Sequence, residues 1–291
     1  VGEDREPINI CYVLDAKRTL GGTVALRYLL ITPPDAVIGE MMHENVVFIN
    51  TMMDQEEVAR QFQKYDFTAM PVVDNENRLV GIITVDDIVD ILQEEATEDI
   101  EKMAAIVPTD KPYMKTTVFE TWKKRIPWLL LLMISATFTG SIITSFEDAL
   151  SACVVLTAYI PMLMDTGGNA GGQASVTIIR GLSLNEIEFK DAFKVVWKEA
   201  RVAVLCGLTL AAANFVKLLL FDRVTIAVAA VVCLTLVAAV FIAKIIGCLL
   251  PMLAKKIGFD PAVMASPFIT TIVDALSLLI YFSIATAIMH I

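Results

Sequence analysis

From about Pro127 onward the chain runs in long apolar stretches separated by short charged breaks, whereas upstream its apolar residues come in strand-sized or helix-periodic groups. Five apolar runs, at about 127–145, 149–182, 201–221, 224–253 and 262–290, each come near the ~20 residues that cross a bilayer core. Residues 46–92 read as an α/β unit: strand VVFI, helix from about Asp54 to Tyr65, strand MPVVD, turn NENR, strand LVGIIT and a helix from Val85. The preceding ICYVLDAKRTLGGTVALRYLLI repeats the strand–turn–strand–helix end of that unit, which predicts a tandem pair with a truncated first member. The opening residues VGEDREP carry neither an initiating Met nor a signal-peptide pattern, so the chain is expected to begin within a domain. The expected fold class is an α-helical membrane protein with five transmembrane helices and a small α/β cytoplasmic domain.

Composition agrees with that pattern, since 56% of the 291 residues are hydrophobic and 19% charged, with a mean hydropathy of +0.65. Charge is uneven: residues 1–126 hold 13 Lys and Arg against 23 Asp and Glu, and residues 127–291 hold 10 of each. So acidic a first part excludes nucleic acid as a partner and suits cations. Basic residues at 111–125, at 180–201 and at Lys255 and Lys256 flank one side of the runs, and Arg223 alone flanks the other, where Glu147 and Asp148 form the first turn. By the positive-inside rule the N-terminus is cytoplasmic and the C-terminus outside, as in a multi-pass protein of the cell membrane. The five cysteines fall singly and read as buried reduced thiols.

Two of the apolar runs contain polar groups that membrane depth makes costly. In PMLMDTGGNAGGQASVTIIRG, four glycines (Gly167, Gly168, Gly171, Gly172) crowd one stretch, and Asp165, Asn169 and Gln173 recur at i, i+4 and i+8, one face if the segment stays helical. Glycine weakens the helix locally and admits a close backbone or ion, and Pro161 frees the carbonyl of Thr157. A close helix-packing face accounts for the glycines, yet a carboxylate at that depth costs roughly 2.5–3.5 kcal/mol, so packing leaves Asp165 unexplained. In DPAVMASPFITTIVDALSLLIYF, Asp274 falls about 18 Å along the run, near mid-bilayer, one turn after Thr270. It reads either as a cation-facing group or as the structural partner of Lys244 in the fourth run. Such oxygen donors suit Mg2+, a hard ion that keeps most of its octahedral water shell and takes one or two carboxylates. Histidine and cysteine are missing from these stretches as a cluster, so zinc and copper are disfavoured.

Beneath the membrane runs, residues 86–101 carry Asp86, Asp87, Asp90, Glu94, Glu95, Glu98, Asp99 and Glu101 with no basic residue. Like charges at helical spacing oppose the helix by about 0.2–0.5 kcal/mol per pair. The run is either a solvated face or a low-affinity Mg2+ sensor whose bound cations cancel the repulsion. Thr84 and Asp87 stand at capping-box spacing at the start of that helix.

TAMPVVDNENRLVGIITVDDIVDIL resembles the second half of a cystathionine-β-synthase (CBS) domain, and residues 1–31 resemble the end of its partner. The stretch from EEATEDIEKMAAIVP through TWKKRIPWL and the whole five-run region resemble the MgtE family of magnesium channels, so the likeness covers essentially the entire chain. It implies three parts: a CBS pair at 1–96, a plug-like connecting helix at 97–126 that meets the lipid surface at its basic end, and a pore domain at 127–291. It also implies a homodimer, with Asp274, Asp165, Asn169, Gly168, Thr270 and Gln173 at the pore metal. Asp86, Asp87, Asp90, Glu94, Glu95, Glu98 and Asp99 become the sensor, with closure on cytosolic Mg2+. Thr84 and Asp87 match the Thr-x-x-Asp that holds the ribose of adenine nucleotides such as ATP in many CBS domains. The resulting expectation is a non-enzymatic Mg2+ channel importing into the cytoplasm. Coupled secondary transport of Mg2+, Co2+ or Mn2+, and a non-conducting membrane-anchored sensor, are the competing classes.

Overall fold

The computed structural model describes residues 9–109, 111–264 and 266–290, so the opening residues 1–8 of the expected first module lie outside the described residues. The chain divides into two compact units, Val1–Thr97 and Glu98–Ile291.

In the first unit, β1 (Ile10–Leu14) and β2 (Leu20–Ala25) form an antiparallel hairpin followed by α1 (Leu26–Ile31) and the short α2 (Ile38–Met41). The second module is β3 (Ile49–Asn50), α3 (Gln55–Tyr65), β4 (Ala69–Val73), β5 (Leu79–Thr84) and α4 (Val85–Met103), whose last turns belong to the second unit. Its sheet has the order β3-β4-β5, with β3 parallel and β5 antiparallel to β4. α3 begins at Asp54, whose carboxylate accepts from the N–H of Glu56 at 2.9 Å, and ends where Asp66 turns left-handed at φ 51°. Its Val58, Ala59 and Phe62 join Ile49, Met70 and Ile88 in one buried cluster.

The expected strand VVFI contracts to its last residue. β3 pairs Ile49 with Val72 and Asn50 with Val73. One step earlier the partner of Phe48 would be Pro71, which has no N–H to give, so the ladder starts at Ile49.

Both hairpins turn in the same way, as the repeat predicts. Asp15 Oδ1 accepts from the N–H of Lys17 and of Thr19, each at 2.8 Å, and Asp74 Oδ1 accepts from Glu76 and Arg78, each at 2.9 Å. Arg18 and Asn77 occupy the same left-handed position, φ 68° and 59°. The two turns also pair with each other: the Leu20 N–H donates to the Asn77 carbonyl at 2.9 Å and the Leu79 N–H to the Arg18 carbonyl at 3.0 Å.

The second unit is helical: α5 (Val118–Ser145), α6 (Glu147–Ala152), α7 (Ile160–Ser183), α8 (Ala192–Leu220), α9 (Ile226–Lys256) and α10 (Ser266–Met289). α9 packs against α7, α8 and α10, and α7 against α10. Among the described residues four helical segments are long and apolar enough to cross a membrane: Val118–Ser145, Phe189–Leu220, Ile226–Lys256 and Pro261–Met289. α7 falls short on hydropathy because of its glycines and polar face, although its 24 residues reach about 36 Å at 1.5 Å per residue.

Three expectations change here. The single run at 149–182 is broken into α6, a 3-10 stretch at Val154–Tyr159 and α7. Pro161 therefore sits in the first turn of α7, where its missing N–H costs no ladder bond. Residues 97–126 are not one connecting helix but the end of α4, a stretch with a 3-10 turn at Tyr113–Lys115, and the start of α5. α5 begins in a capping box between Thr117 and Glu120, which explains why it starts well before the first apolar run.

Candidate functional site

The polar positions of α7 and α10 sit on helices locked together by glycine. A Cβ at Gly168 would come within 2.8 Å of Thr270 Cγ2, one at Gly167 within 2.9 Å of Val273 Cγ1, and one at Gly171 within 2.8 Å of Ile269 Cγ2. A Cβ at Gly247 on α9 would come within 2.3 Å of the Gly171 carbonyl oxygen. α7 is helical throughout Ile160–Ser183, and Gly167, Gly168 and Gly171 lie in its close contacts with α9 and α10.

With its glycines turned to α9 and α10, α7 turns the line Asp165, Asn169 and Gln173 to another side. These three residues, with Thr166 and Ala170, line a cavity of about 490 Å³ between α7, α8 and α9, to which Cys206 and Lys244 also contribute. Asp274, the ninth residue of α10, has a carboxylate oxygen, Oδ1, that is buried without a hydrogen-bond partner among the described residues, a costly state that a bound cation would relieve. Asp165 lies near enough to act on it electrostatically. The six pore candidates thus fall in two places. Gly168 and Thr270 meet in the seam between α7 and α10 with Asp274 one turn on, while Asp165, Asn169 and Gln173 line the cavity.

Lys244 does not pair with Asp274. Its Nζ lies 3.6 Å from Oε2 of Glu199 on α8, with both side chains nearly buried. Glu199 escaped the sequence reading because Lys198, Glu199 and Arg201 look like a solvated loop edge. The signal was the lysine in the fourth apolar run, which needed an acid.

Along α4 most of the acids are individually engaged. Asp87 Oδ2 accepts from the Thr84 N–H at 3.2 Å and from its hydroxyl at 3.0 Å, so both groups named for the nucleotide are spent on the helix start. Glu95 accepts from Gln55 at 2.7 Å, Glu98 pairs with Lys102, and Glu101 accepts from the Thr109 N–H at 2.8 Å. Asp86 and Asp99 have partners as well, and Asp90 and Glu94 are exposed. Lys102 also reaches Asp260, at 2.6 Å, in the segment before α10. Burial alone would lower the Lys102 ammonium, but its hydrogen bonds to Asp260 and Glu98 hold it above the ordinary lysine value. Among the described residues no group of three or more His, Cys, Asp or Glu is drawn together closely enough to hold a metal.

Comparison with known proteins returns two family matches: MgtE, described as divalent cation transporter, over residues 160–284, and the CBS domain over residues 38–94. The chain is similar to the magnesium transporter MgtE of Thermus thermophilus, 42% identical over 97% of this chain and 62% of that protein. It is similar also to that of Bacillus subtilis, 37% identical over 99% of this chain and 63% of the relative. The corresponding figures for that of Enterococcus faecalis are 34%, 98% and 62%. The chain thus spans a little under two thirds of the length of these relatives.

Proposed function

The chain belongs to the MgtE family, and on that premise we propose that it is the membrane part, with a portion of the CBS pair, of a channel that passes Mg2+ into the cytoplasm. The observation that carries the reading is the buried oxygen of Asp274, without a hydrogen-bond partner among the described residues and within electrostatic reach of Asp165, in a segment apolar enough to cross a membrane. An uncompensated carboxylate at that depth is retained where an ion visits it. Mg2+ fits because a carboxylate with a hydroxyl or amide oxygen in each place, Asp274 with Thr270 in the seam and Asp165 with Asn169 and Gln173 in the cavity, binds a hydrated ion without stripping its water. The N-terminus is cytoplasmic, in keeping with the basic residues at 111–125, 180–201 and 255–256. α7 is the fifth crossing, its polar face covered by a second copy of the chain.

Cytosolic Mg2+ regulates the passage through the acids of α4, of which Asp86, Asp87, Asp90 and Glu94 are exposed. A nucleotide such as ATP at Thr84 and Asp87 binds by displacing their mutual hydrogen bonds. The test is Mg2+ uptake by liposomes containing the purified chain. Asp274→Ala abolishes uptake or cuts it at least tenfold, and Asp165→Gly has the smaller effect. Uptake equal to the parent's in the Asp274 variant overturns the assignment, and a larger loss in the Asp165 variant reverses the ranking.

A further inference from the structure

Lys244 lies near the middle of α9 and is 5% exposed. An ammonium at such depth is costly to bury and is kept where it has a charged partner or a task. Glu199 is that partner only loosely, since 3.6 Å is beyond hydrogen-bonding distance. Lys244 also lines the cavity on which Asp165, Thr166, Asn169 and Gln173 stand.

We infer that the Lys244 ammonium is a resident cation of the Asp165 cavity, a tethered competitor for the passing metal ion, and that Glu199 holds it back from Asp165. The inference deepens the proposed function and rests on its reading of Asp165 as cation-facing. With Asp165, Glu199 and Lys244 all charged, the set carries one net negative charge, which attracts a hydrated divalent ion without trapping it. Removing the ammonium leaves two negative charges and a tighter site. Removing the Glu199 charge leaves none, and frees the ammonium to neutralise Asp165.

The two single changes therefore act in opposite directions, which loss of packing does not predict. A divalent ion and a unit charge about 10 Å apart at an effective dielectric near 20 interact by roughly twice the energy of a tenfold change in affinity, and salt at about 0.1 M screens that by roughly half, which leaves about tenfold. The experiment is electron paramagnetic resonance of Mn2+ titrated into the purified chain, the cavity's share being the signal lost in Asp165→Asn. Lys244→Met tightens that component about tenfold, Glu199→Gln weakens it about tenfold, and the double variant returns to within about threefold of the parent. Lys244→Arg, which keeps the charge, stays near the parent. If Lys244→Met does not fold, Lys244→Gln makes the same charge change. Single variants that shift binding in the same direction, while Asp165→Asn still removes a component, overturn this inference and leave the role of Asp165 standing. No component lost in Asp165→Asn overturns both.

Discussion

A methyl group added at position 247 has no room, whereas one added at position 140 meets nothing within 4 Å. The pair separates packing from propensity. Gly247→Ala overpacks the contact of α9 with α7 and costs about 1–3 kcal/mol, while Gly140→Ala in α5 improves helix propensity by about 0.5–1 kcal/mol. Thermal unfolding of the detergent-purified chain should show a clearly lower midpoint for the first and an equal or higher one for the second. Equal midpoints would remove the backbone contact as a structural determinant. At this scale the sequence shows which residues matter better than it shows what they do. Its spacing marks the line Asp165, Asn169 and Gln173, but the glycines read equally well as a bend, because whether a neighbour fills the space of a missing Cβ is a tertiary fact.

Hairpin turns give the clearest case at the scale of the element. The Arg78 N–H above all holds the Asp74 carboxyl below its ordinary value, and the Thr19 N–H above all does so for Asp15. A carboxylate whose folded pKa is depressed contributes stability in full above its unfolded value of about 3.9, and the contribution is lost as pH falls through the folded pKa. Urea titrations followed by circular dichroism should show the parent's midpoint falling between pH 5 and pH 3. Part of that fall should disappear in the Asp15→Asn, Asp74→Asn double variant, and identical falls in the two proteins would contradict the turn assignment. The tandem hairpins were legible because DAKRTL and DNENRL repeat turn chemistry that acts within a few residues. By contrast, the shortness of β3 was not, since it depends on Pro71 lying opposite Phe48, and neither was the break at 146–160, where the run stays apolar while the backbone changes form.

For the whole molecule, the test concerns the uneven charge. Replacing Asp90, Glu94 and Glu98 by the corresponding amides removes repulsion but cannot bridge a cation, and it also deprives Lys102 of one of its two carboxylates. The triple variant should lose the Mg2+-dependent protection of residues 97–125 from proteolysis, with cleavage at least severalfold faster at Mg2+ levels that shield the parent. Equal protection would make the acidic run a solvated surface and leave the pore reading untouched. The contact between Gly171 and Gly247 has a mechanical meaning as well. Side chains can slide or change rotamer to take up slack between helices, but two main chains in direct contact have no such play. α7 and α9 therefore hold one another as a single spar, and neither can slide along the other unless the main-chain contact itself opens.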